Sequence, residues 1–141
     1  MQSRKTSAGF IIVLARGENV IETLTAFCTK EVIHAATFTG IGAVERVQIG
    51  YYDLAKKEYF FRNEPGVFEV ASMNGNVALV ENVPFVHAHA VLSKCDESCA
   101  CIGAHIKEAF VAVTLEIFLI PLNVQISRSM DDAIGLKLLN L

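Results

Sequence analysis

Residues 67–93 read VFEVASMNGNVALVENVPFVHAHAVLS, and the way this stretch is divided decides the fold. It reads as strand, with Asn74-Gly75 as a type I′ turn or bulge signal inside it. Its last nine residues alternate across a strand. Phe85, His87, His89 and Val91 share one face, and Val86, Ala88, Ala90 and Leu92 share the other. Upstream, residues 33–64 continue as strands joined by turns. Gly40 and Gly42 mark a tight connection, and Val47, Ile49 and Tyr51 alternate with polar or small residues. The polar DLAKKE at 53–58 separates that strand from YFFRN, which predicts a hairpin. Gly9 to Ala15 is a continuous apolar run with β-branched residues, read as a buried strand. The period then changes. Val20, Ile21, Leu24, Phe27 and Cys28 fall on one helical face, which predicts the main helix and places Cys28 in the core. Downstream, IGAHIKEAF is read as a loop or short helix, FVAVTLEIFLI as a long strand ended by Pro121, and VQISRS as a further short strand. One helix among many strands predicts an α+β domain with a mostly antiparallel sheet, spanning residues 1–141 as a single unit.

Composition narrows the function classes. The chain of 141 residues is 52% hydrophobic and 19% charged, with a formal net charge of −3. The apolar excess fits surface buried against copies of the same chain. The acidic balance argues against autonomous binding to nucleic-acid phosphates. No apolar run approaches the roughly 20 residues of a spanning helix. The N-terminal apolar run is cut by Arg16 and Glu18, unlike a secretory signal, so a cytoplasmic location is expected. Four cysteines in such a setting read as free thiols or ligands, not as a disulfide framework.

The candidate chemistry lies in residues 85–106, which hold three of the four histidines and three of the four cysteines. His87 and His89 are strand neighbours with Cα atoms roughly 7 Å apart. His105 follows Gly103-Ala104, where a returning chain brings it alongside. Three neutral imidazoles and one open position make an exchangeable-ligand zinc site. Against this stands the plainer reading of H-x-H as two polar residues on an exposed face. Cys95, Cys99 and Cys101 form C-x3-C-x-C, a second candidate thiol site whose spacing matches no standard zinc ribbon. No G-x-S-x-G, phosphate loop or dinucleotide fingerprint occurs. Glu69 and Glu116 are read as solvent-facing, and His34 as structural.

The ordered set ARGENVIETLTAFC, TGIGAVERVQIGYYD with KEY, GVFEVASMNGNVAL, VHAHAVLS, GAH, AVTLEI and GLKLL resembles a stand-alone bacterial member of the plants-and-prokaryotes conserved (PPC) domain family, over nearly the whole chain. The resemblance implies an α+β fold with a central, mostly antiparallel sheet flanked by helices, assembled as a homotrimer. It also implies a bound metal, zinc above others, at positions matching His87, His89 and His105. In plants the domain follows AT-hooks, and family members are often described as DNA-binding. No R-G-R-P hook occurs here, so the arginine that would enter a minor groove is missing. The plant partner motif Gly-Arg-Phe-Glu-Ile survives as Gly66, Phe68 and Glu69, with Val67 in place of its arginine. Three readings follow: a trimeric metal-binding or regulatory module, a DNA-associated regulator, and a scaffold whose histidines hold no ion. An open metal position would extend the first to a metal-dependent small-molecule enzyme. No general base is identifiable, and no catalytic residue is assigned.

Overall fold

A computed structural model describes residues Met1–Leu141. The elements are β1 (Gln2–Thr6), β2 (Gly9–Ala15), α1 (Val20–Lys30), β3 (Ala36–Asp53), β4 (Glu58–Val80), β5 (Val83–Lys94), β6 (Cys101–Pro121), β7 (Ser127–Asp131) and β8 (Leu136–Asn140). All eight strands join one sheet, ordered β1-β2-β6-β3-β4-β7-β8, with β5 paired to both β4 and β6. Those last pairings close β3, β4, β5 and β6 into a ring. Every ladder is antiparallel except a single parallel rung, Leu79 with Ser127, between β4 and β7.

The expectation of an α+β domain with its sheet flanked by helices is overturned: α1, of 11 residues, is the one helix, and the protein is mostly β. The physical reason lies in the pattern. Only residues 20–30 keep a 3.6-residue apolar period, and the rest alternates or runs continuously apolar with β-branched residues. The Asn19 side chain caps α1 by accepting from the amides of Ile21 and Glu22, and its Nδ2 donates to Glu108 on β6 at 3.2 Å. The buried face of the helix, Val20, Leu24, Phe27 and Cys28, packs into the main core with Phe10, Phe38 and Leu92. Burial pushes the Cys28 thiol up to about 12, which leaves it an inert core group.

Three local readings also change. Residues 101–110 are strand, not loop or helix, because their partners on β3 and β5 supply the ladder. Gly40 and Gly42 lie within β3, beside a β-bulge. Gly42 has φ +148, and a Cβ there would run into the Thr114 carbonyl on β6, so the glycine serves close strand approach. Asn74-Gly75 is neither turn nor bulge, since β4 passes straight through it in register with β3 and β5. The turn between β4 and β5 is Glu81-Asn82, with φ +52 and +65, the backbone of a type I′ hairpin. The DLAKKE hairpin, the strand end at Pro121 and the buried Cys28 stand as expected. No helix is long and apolar enough to cross a membrane.

Candidate metal centre

The alternation along β5 does what the sequence predicts. Val86, Ala88, Ala90 and Leu92 point into the core, and Phe85, His87, His89 and Val91 point outward. β6 then returns antiparallel and sets His105 directly opposite His89. On the far side of β6, His105 pairs with Gly50, which puts no side chain beside the imidazole. The three rings converge with centroids 5.0, 5.1 and 5.3 Å apart. One nitrogen from each lies within 4.8 Å of the others, the only such group of potential ligands in the protein. His87 Nε2 and His89 Nε2 are 3.2 Å apart. Tyr59 walls the cluster, its ring 4.9 Å from that of His105. The β7–β8 hairpin covers the other flank. It is held down by Tyr52 Oη donating to the Ile134 carbonyl at 2.7 Å, and by Arg128 donating to Asn76 at 2.7 Å and to His87 Nδ1 at 3.3 Å.

His87 and His105 are both held well below the usual imidazole range, at about 4. Burial is the largest cause for each. Arg128 and then His89 add to it for His87, and His87 and then His89 for His105. Both rings are therefore neutral at pH 7, the form that ligates. His105 Nδ1 is buried without any hydrogen-bond partner. A buried nitrogen lone pair or N–H left unpaired is costly, and a cation held among the three imidazoles is one way to relieve it. The residues thus fit a metal ion in donor type, number and spacing.

The same shifts give a pH dependence for the metal-free protein. The folded chain refuses protons that the unfolded chain takes up below about 6.5. Stability is thus full above that pH, falls as pH drops toward about 4, and levels off below it. Thermal unfolding of chelator-treated protein should show a midpoint lower by a few degrees at pH 5 than at pH 7.5, and His87→Gln should flatten the difference. An unchanged midpoint would contradict this electrostatic picture.

The other sequence candidates lie elsewhere. Cys95, Cys99 and Cys101 are all exposed free thiols; Cys99 Sγ reaches the Asp96 carbonyl and Cys101 Sγ the Cys99 carbonyl, and they assemble no ligand group. Gly66 sits exposed at φ +101, Phe68 is buried in the core, and Glu69 is exposed, as is Glu116. His34 is exposed and apart from the cluster. Arg128, which touches His87, was not foreseen. A lone arginine in a short strand near the C-terminus carries no sequence signal.

A family model for the Plants and Prokaryotes Conserved domain matches residues 1–123, with all three histidines inside the match. The chain belongs to that family. The β7–β8 hairpin lies beyond the matched span. Among solved structures, a plant- and prokaryote-conserved protein of Pyrococcus horikoshii is 35% identical, with TM-score 0.85, covering 93% of this chain and 90% of that one. A metal-containing protein of Archaeoglobus fulgidus is 33% identical, with TM-score 0.85 and 98% of each chain covered. A candidate DNA-binding protein of Ralstonia eutropha JMP134 is 28% identical, with TM-score 0.89, covering 99% of this chain and 95% of that one. No functionally curated protein matches the chain.

Proposed function

We propose that this Plants and Prokaryotes Conserved domain is a metal-binding module in which His87, His89 and His105 hold one divalent ion. The observation that carries this is the convergence of three imidazoles from two paired strands, with ligand atoms within 4.8 Å of one another. The Archaeoglobus relative, described as metal-containing, supports it. Zinc is the ion we favour, because nitrogen donors in this number suit it and leave a fourth position open for water or a small molecule. No aspartate or glutamate lines the clefts beside the histidines, so the site offers no carboxylate as general base. That favours binding or regulation over hydrolysis. Elemental analysis of untagged protein purified without chelator tests the reading. We expect near one ion per chain, and a metal-free protein that cannot be loaded would end it.

The homotrimer implied by the family resemblance is part of the same proposal. Ile41, Phe118 and Ile120 stand 58%, 55% and 48% exposed on the outer side of β3 and β6, an apolar strip suited to a second copy. Light scattering should give a mass of three chains, and Phe118→Glu should shift it to one. A monomeric parent protein would refute the assembly. DNA association is the second reading, favoured by the description of the Ralstonia relative and opposed by the net charge of −3.

A further inference from the structure

Charge around the histidines is one-sided. Two clefts meet at them, one bounded by Tyr51, Phe60, Arg62 and Ile102, the other by Phe85, Arg128, Met130 and Leu138 beneath the β7–β8 hairpin. Neither is lined by an aspartate or glutamate, although the chain has 15 acidic residues. Three basic side chains do line them: Arg62, Lys137 and Arg128. Arg62 is bridged to Glu64, and Lys137 to Glu81 at 2.7 Å. Arg128 has no carboxylate partner. Its Nη1 donates to the Lys137 carbonyl at 3.2 Å and its Nη2 to Asn76 and His87, while its Nε is buried with no partner. A partly desolvated guanidinium without a counter-charge is an uncommon arrangement, and it calls for an anion.

The contact with His87 sharpens the point. A guanidinium can only donate, so His87 Nδ1 accepts and its proton sits on Nε2, the atom facing His89. Ligation through Nε2 needs the other tautomer, with Nδ1–H turned to an acceptor. Arg128 and a metal ion therefore compete for His87. With an ion bound, the site would carry its two charges and that of Arg128, with no carboxylate in either cleft to offset them.

We propose that the site takes a small organic carboxylate together with its ion, the carboxylate pairing with Arg128 and the apolar body resting against Tyr59, Phe85, Met130 and Leu138. This rests on the metal-binding reading. A cleft of about 380 Å³ suits a ligand of one ring. Carboxylate fits better than phosphate, because the walls beside Arg128, formed by Tyr59, Phe85, Met130 and Leu138, are apolar and suit an anion that carries an apolar body. An anion that draws Arg128 off His87 frees the ligating nitrogen, so ion and carboxylate each raise the affinity for the other.

The test uses full-length protein loaded with Co2+, whose visible spectrum reports its ligands. Benzoate should bind saturably and change the spectrum, at least about tenfold more tightly than acetate. Arg128→Gln should weaken benzoate by about tenfold or more, and Lys137→Gln by less than about twofold. Circular dichroism checks the fold of each variant. If Arg128→Gln does not fold, the comparison of benzoate with acetate on the unaltered protein decides alone. No response to benzoate, equal binding by Arg128→Gln, or a response to inorganic phosphate in place of benzoate overturns the inference. A protein that takes up no metal fails the metal reading and this one together, whereas a loaded protein blind to benzoate fails this one only.

Discussion

Replacing His87 and His89 together by alanine should strip the protein of metal and leave its fold intact. Both side chains project from the outer face of β5, outside the core cluster that Val86, Ala88, Ala90 and Leu92 help to build. The substitution therefore opens no core cavity. We expect a stability loss of about 1–2 kcal/mol, arising from half-buried His87 and its contact with Arg128. The effect on the ion is far larger. Only His105 would remain of three ligands, and one imidazole does not retain an ion through purification. Metal content should fall by more than about tenfold at unchanged mass in light scattering. Metal that persists in the variant would move the site to Cys95, Cys99 and Cys101 and defeat the histidine assignment.

Gly75→Ala should be the most damaging single change in this part of the sheet. The glycine lies mid-strand, paired with Phe38 of β3 and Ala88 of β5. A Cβ there would strike both the Phe38 ring and the His87 carbonyl oxygen. The ring is 1% exposed and packed into the core, and the carbonyl is backbone, so neither yields cheaply. Overpacking of this kind costs about 3 kcal/mol, or roughly 10 °C in thermal midpoint for a domain of this size. The same push displaces His87, so metal affinity should fall with stability. A variant that melts within about 2 °C of the parent would show that the strands can part more easily than the packing implies.

Gly75 also shows where the sequence misleads. Asn-Gly between apolar residues is the strongest short hairpin signal, yet here the glycine makes room for an aromatic ring from the neighbouring strand. The real turn, Glu81-Asn82, uses two residues that reach positive φ without glycine and so gives little warning. Residues 101–110 hide for a related reason. Gly103 and Ala104 weaken the local pattern, and only pairing with β3 and β5 makes the segment a strand. What was legible rests on clean periodicity: the helix of residues 20–30, and the outward face shared by His87 and His89. His105 could be nominated by its spacing from them. Its register opposite His89, and the guanidinium of Arg128 behind His87, are tertiary facts with no local trace.

The ring of β3, β4, β5 and β6 bears on the order of folding events. β5 and β6 are consecutive, and the segment from His87 to His105 is short, so joining them closes a small loop at low entropic cost. The rung between Ala36 and Pro121 joins distant parts of the chain and is the expensive, slow closure. The hairpin that carries all three imidazoles can therefore form while the ring of strands is still open. An ion captured at that stage would act as a nucleation staple, holding the local hairpin in register until the long-range seam is sealed.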